Sequence, residues 1–249
     1  MKRKAGERKS RSSESSGLSL ESRTPKRPNL LAGEELPAMP SQERSRLKRA
    51  ALLRAAVDLF GKNGYEATGI GDIARSAGVA VGGFYQYFNS KRQLLIVLVN
   101  ELLQKLDQVE MQPEAIDLRT AIEKVLSAGL ATDLAYAGAY RAWKEAMLAD
   151  AGLARLDDRI REWSTGRLYA SLYPLRMLPG ARPDADIKLF ASVMDTLFWS
   201  ILGTKIQNHP NLASIIGDII FRFLFNDPQA GIILKPSRPI RISGPSDGE

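Results

Sequence analysis

The chain of 249 residues predicts an all-α fold of two helical domains, a small N-terminal three-helix helix-turn-helix domain followed by a larger one. Three observations predict it. Apolar residues recur at steps of three and four through most of residues 44–225, and Gly, Pro and Asn break these runs at helical lengths. No segment alternates with period two for long enough to make a strand.

Residues 1–43 are rich in Ser, Arg, Lys, Pro and Glu and carry no helical or strand period, so they read as a disordered basic arm. It is either a solvated tail or an auxiliary arm that adds phosphate attraction. Pro37 and Pro40 mark the boundary, and the cluster Arg44, Arg46, Lys48, Arg49 leads into the first helix. Its stripe is Leu52, Leu53, Ala56, Leu59 and Phe60, with Gly61 and Gly64 expected to end it.

The most informative run is Thr68 to Lys91. Ile70, Ile73, Ala74 and Ala77 form a short helix, Gly78 stops it in a left-handed backbone and Val79 plugs the corner. The next helix carries Phe84 and Phe88 on one face, while Val81, Gly82, Tyr85 and Gln86 fall on other sides. This is a helix-turn-helix about residues 69–88, with one face to pack and another to enter a major groove. Asn89 is the expected N-cap of a fourth helix, which places Ser90 and Lys91 in a first turn that favours an anion.

Charge points the same way. Residues 44–105 hold ten basic and four acidic side chains, whereas residues 106–249 hold 16 and 18. A basic reader on a slightly acidic body fits a nucleic-acid partner.

The segment from Leu52 through Thr68 and on to Ser90–Leu95 resembles the N-terminal domain of TetR-family transcriptional regulators. These motifs cover about a quarter of the chain. The resemblance implies that Tyr85, Tyr87 and Lys91 touch DNA, chiefly phosphate, and that Val81, Gly82, Gly83 and Gln86 face bases, with Thr68 and Gly71 in the same contact run. Two positions depart from the family, Ala80 and Gly83, where hydroxyl residues are usual. The first removes a side-chain N-cap of about 1 kcal/mol, and the adjacent glycines cost about 1 kcal/mol each relative to Ala. The second helix is expected to be weak alone.

Beyond Pro113, helices are expected at about 118–136, 140–149, 153–173, 183–205 and 211–225, and a loosely ordered tail at 227–249. The divisions are then arm 1–43, reader 44–106, body 107–226 and tail. The last two helices carry wide stripes that include Val193, Leu197, Ile201 and Ile216, Ile220, Phe223. Such stripes fit either the chain's own core or a subunit interface. The resemblance implies a homodimer built on them, matching the two half-sites that a helix-turn-helix dimer reads. It also implies a mainly apolar effector pocket in the body, for which Tyr140, Trp143, Met147, Trp163, Tyr169 and Trp199 are candidates, although ordinary core packing accounts for most such residues. Arg141 and Glu145 are either polar anchors there or a surface ion pair.

The chain has no Cys and one His, His209, which removes thiolate zinc sites, Cys nucleophiles and multi-His metal sites within one chain. Asp157 and Asp158 are adjacent and point apart, and Gly78–Gly83 follows a helix rather than a strand, so neither an acid/base pair nor a dinucleotide fingerprint is expected. No secretory h-region or run of about 20 apolar residues is present. The expectation is a cytoplasmic homodimeric repressor that binds operator DNA and is released from it by a small-molecule effector, with no catalytic residue, cofactor, metal or membrane partner. A helical small-molecule-binding module and a cofactor-free enzyme are the alternatives.

Overall fold

Capping side chains set where four of the described helices begin. In a computed structural model, which describes residues 27–109, 117–227 and 231–232, the side chains of Ser90, Asp117, Asp150 and Asp186 each accept a backbone N–H from the first turn of the helix that follows. The described residues contain α1 (Glu43–Asn63), α2 (Ile70–Ser76), α3 (Val81–Phe84), α4 (Lys91–Asp107), α5 (Leu118–Ala135), α6 (Ala137–Ala146), α7 (Ala151–Leu172), α8 (Ile187–Ile201) and α9 (Leu212–Leu224). No strand lies among them; an antiparallel bridge joins Ala181 and Phe225. The fold is all-helical, with the helices of the body within a few residues of the expected limits.

Three local expectations are corrected. Ser90 rather than Asn89 caps α4, accepting from the Gln93 N–H at 3.1 Å, while the Asn89 N–H is taken up by the Gln93 side chain at 2.8 Å. Gly61 does not end α1, which runs on to Asn63, where Gly64 turns left-handed at φ 87°. Gly61 has a packing role: α6 crosses α1 there, and a Cβ on Gly138 would lie 1.9 Å from the Val57 carbonyl oxygen. Only glycine allows that approach.

The third correction concerns the arm. Residues 1–26 lie outside the described residues, but residues 27–35 pack against α4 and α7. Leu30 and Leu31 are buried in the main core, and Glu34 and Glu35 bond to α4. A pair of leucines has no period to detect, so the polar composition around them hid the anchor.

Packing divides the chain differently from the charge pattern. One core joins α1–α4 to α6 and the first half of α7 through residues such as Phe60, Phe84, Leu98, Trp143 and Leu156. A second gathers α5, the end of α7, α8 and α9 around Phe190, Met194, Ile216 and Phe221. Thus α6 and α7 belong to the reader's core as much as to the body's, a link that matters for the site.

Candidate nucleic-acid interface and effector cavity

The helix-turn-helix is built from small devices. Gly78 adopts φ 69°, letting the Gly78 and Val79 N–H groups bond back to Arg75 and Ala74. Phe84 and Phe88 are fully buried, 5.6 Å apart, and hold α3 onto the core. Their burial turns Val81, Gly82, Tyr85 and Gln86 outward; Val81 and Tyr85 are about half exposed at 49% and 53%. Tyr87 and Gly83 are half-buried beside them, and Gly71, on α2, faces open space. The helix has one turn, with no side-chain cap at Ala80, as its glycines and missing hydroxyl foreshadow.

Thr68 is corrected: it is wholly buried, and its hydroxyl donates to the Gly64 carbonyl at 2.7 Å. Its side chain ties the α1–α2 loop and cannot reach a ligand. Lys91 also serves that loop. Its Nζ donates to the carbonyls of Tyr65 and Thr68 at 2.7 and 3.1 Å. Tyr65 is mostly buried, and burial raises its phenol to about 12.

Body and reader meet at the same loop. The Glu145 carboxylate accepts the Tyr65 N–H at 2.6 Å, and Arg141 donates to the Gly61 carbonyl at 2.8 Å while pairing with Glu145 at 3.2 Å. These two residues are neither pocket anchors nor a free surface pair. They clamp α6 to the C-terminal end of α1, satisfying carbonyls that a helix end leaves open.

On the other side of α6, Tyr140 and Trp143 meet Val99, Leu102 and Leu103 of α4 and Trp199 of α8 around a gap of about 10 Å³, room for one water. Three of the six candidate pocket residues therefore converge. Met147 and Trp163 pack on the same core nearby, while Tyr169 belongs to the second core, against Tyr173. The aromatic tips are held by carboxylates: Tyr140 donates to Asp133 at 2.7 Å, and Trp143 donates to Asp157 at 2.8 Å. Asp157 also takes Arg161, which stacks over Trp199 at 4.6 Å. Asp195 accepts from Ser164 and Thr165. Burial pushes the Asp133 carboxyl up to about 6, against the opposing Tyr140 hydrogen bond, and raises Asp195 as well. Sequence reading found the aromatics by size but not these acids, which lie too far apart in the chain to form a motif.

The stripes of α8 and α9 split into two faces. Ile201, Ile216 and Ile220 are buried within the chain, and Phe223 is half-buried, stacked on Phe190 at 3.9 Å. Ile201, Ile216 and Ile220 are therefore corrected to intrachain packing, while Phe223 keeps part of its ring exposed. Val193 and Leu197 remain exposed at 56% and 37%, and with Leu189, Ile215 and Ile219 they leave an open apolar face. Ile215 and Ile219, one residue before the positions chosen from sequence, are the outward members of α9.

An exposed helix-turn-helix face thus stands on a helical body. Residues 52–98 match the family described as "Bacterial regulatory proteins, tetR family". That match assigns residues 52–98 to the DNA-binding domain of the TetR family. The chain is 36% identical over 73 residues to the uncharacterized HTH-type transcriptional regulator YvdT of Bacillus subtilis and 34% identical over 97 residues to the HTH-type transcriptional regulator BetI of Rhizobium meliloti. Those matches take in 29% and 38% of this chain and only 37% and 48% of the relatives. Among solved structures, Salmonella enterica GusR aligns with a TM-score of 0.57 at 17% identity, covering 74% of this chain and 98% of GusR. The ketosteroid transcriptional regulator KstR2 of Mycobacterium tuberculosis aligns at 0.52 and 18% identity, covering 76% and 100%. These likenesses carry the fold beyond the reader. Among the described residues, no helix is long and apolar enough to cross a membrane, and no group of His, Cys, Asp and Glu is placed to hold a metal ion.

Proposed function

We propose that the chain is a homodimeric repressor that reads operator DNA through α3 and its flanks and is released by a small, largely apolar effector. The observation that carries this reading is the outward set Val81, Gly82, Tyr85 and Gln86, held out by the buried Phe84 and Phe88. Gly83 and Tyr87 border that face, Gly71 lies on α2, and Lys91 opens α4 below it. In this division of labour, residues 44–106 read DNA, and residues 107–226 bind effector and dimerise. The exposed face of Leu189, Val193, Leu197, Ile215 and Ile219 supports a two-fold contact that presents two readers to two half-sites.

Release follows from the position of α6. The gap between α4, α6 and α8 is too small for an effector, so binding there has to displace Tyr140, Trp143 or Trp199. Tyr140 and Trp143 share α6 with Arg141 and Glu145, which clamp α1. An effector that shifts α6 moves the reader, and its preference for one reader separation over another lowers DNA affinity by the same factor that DNA lowers effector affinity.

The test is a selection of bound sequences from random duplex DNA, followed by titration of the selected site with and without apolar compounds that raise the melting temperature of the free protein. Recovery of a pseudo-palindromic site, weakened by such a compound, supports the reading. Binding with no sequence preference, or compounds that bind tightly and leave DNA affinity unchanged, overturns the corresponding half of it.

A further inference from the structure

Residues 27–36 cross from the middle of α4 to the start of α7, and they do so by side chains that the reading and effector sites do not use. Arg27 donates to Asn100 on α4 at 2.9 Å. A tight turn follows, with the Glu34 N–H bonded to the Leu31 carbonyl at 2.9 Å and Gly33 left-handed at φ 92°. Leu30 and Leu31 enter the main core at 6% and 4% exposure, and Arg159 of α7 donates to the Ala32 carbonyl at 3.4 Å.

The segment ends on a three-way junction. Glu34 receives both Nη atoms of Arg92, at 2.6 and 3.0 Å, while the Nε of the same arginine donates to Asp150 at 2.7 Å. Asp150 in turn caps α7 through the Gly152 and Leu153 N–H groups. One guanidinium therefore joins the segment, the first turn of α4 and the N-terminus of α7, in the fork geometry that fixes orientation as well as distance. The bonded arginine holds the carboxyls of Glu34 and Asp150 below their usual range. Beside it the Gln93 amide donates to the Glu35 carbonyl at 2.8 Å, and the Gln93 carbonyl oxygen takes the Asn89 N–H directly after the recognition turn.

We infer that residues 27–36 are a strap that fixes the angle of the reader on the body and so restricts the half-site spacing the dimer accepts. This rests on the DNA-reading dimer proposed above. The junction lies within a few residues of the recognition turn, where α4 begins, so slack there becomes rotation of α3. Two readers bridging half-sites about 34 Å apart tolerate little rotation before one loses its groove. The clamp of α6 on α1 is one connection between reader and body; the strap is a second, made of different residues.

The experiment uses the full chain and exploits its lack of cysteine. A Ser76→Cys variant, labelled with a nitroxide at this exposed end of α2, reports the distance between the two readers of a dimer by pulsed electron resonance. It is made with and without Glu34→Gln, which keeps shape and removes the charge of the fork. A second strap variant, Leu30→Ser with Leu31→Ser, releases the apolar anchor. In parallel, affinities are measured for the selected operator and for versions with one base pair added to or removed from its centre. A narrow distance distribution in the unmodified strap that broadens in Glu34→Gln, with discrimination between spacings reduced about threefold or more, is the expected result. Equal widths and an unchanged affinity ratio between spacings overturn the inference, even if Glu34→Gln binds all operators more weakly. Broadening without loss of spacing discrimination overturns the link to DNA. Absence of any dipolar signal or of paired half-sites in the parent protein overturns the dimeric reading itself. If the leucine variant unfolds, Glu34→Gln still decides.

Discussion

The Lys91 ammonium lies 4.2 Å from the centre of the Tyr65 ring while donating to the Tyr65 carbonyl at 2.7 Å. One side chain thus draws the α1–α2 loop onto the start of α4, and its positive charge stays at the edge of the reading face. Lys91→Ala is expected to lower stability by about 1–3 kcal/mol through two charge-assisted bonds and the ring contact. It should also weaken binding to every DNA sequence alike and reduce the slope of log affinity against log salt by about one phosphate contact. Thermal unfolding and titrations at several salt concentrations check both. A changed base preference would contradict a backbone role.

Gln86 is exposed on the reading face, where a carboxamide can pair with the edge of adenine. Gln86→Ala should leave stability unchanged and relax preference at one position per half-site, by about 1–3 kcal/mol of discrimination. Site selection with both proteins decides it, and identical sequence preferences would shift the account to groove shape.

The two faces of α8 and α9 should respond oppositely to charge. Val193→Asp combined with Ile219→Asp alters two side chains 56% and 42% exposed, so a folded monomer with weak operator binding is expected. Ile216→Asp buries a charge at a position 2% exposed and should unfold the chain, at a cost above about 3 kcal/mol. Sedimentation and circular dichroism of both variants provide the check. A stable dimer in the double variant would move the interface elsewhere.

Asp133 gives a pH signature. Burial raises its folded carboxyl to about 6, above the unfolded value of about 3.9. Between these values the folded state holds a proton that the unfolded state lacks, so this residue adds stability as pH falls from 7 towards 4 and withdraws it as pH rises through 6. Asp133→Asn retains an acceptor for Tyr140 and removes the ionisation. It should therefore be more stable than the parent at pH 8, by an amount on the order of 2 kcal/mol, with the difference shrinking towards pH 5. Denaturant melts across that range test the sign.

The helix-turn-helix was legible because each of its steps is enforced by a residue with few alternatives. Gly78 had to turn left-handed, and Phe84 and Phe88 had to face inward together, which leaves Tyr85 and Gln86 outside. The stripes of α8 and α9 were legible as helices but not as faces. They step by three and one, so buried Ile216 and exposed Ile215 carry the same side chain on neighbouring positions, and hydrophobicity cannot rank them. Thr68 was misread because a hydroxyl beside a recognition motif suits DNA, whereas its partner, the Gly64 carbonyl, appears only once the loop closes. The strap was hidden for a similar reason: its leucines are meaningful only against α4 and α7, far away in sequence.

The single turn of α3 has a thermodynamic consequence. Two of its four residues are glycine, no side chain caps it, and what holds it is the burial of Phe84 and Phe88. On the proposed reading of operator DNA, the outward half of this helix is expected to gain order chiefly on binding, and that ordering opposes binding entropically. Calorimetry on the selected operator should record a favourable enthalpy offset by entropy, with a negative heat-capacity change larger than rigid docking of the same surface would give. Gly82→Ala, at a site with open space around the added methyl, should make the entropy less unfavourable while leaving the heat released nearly unchanged.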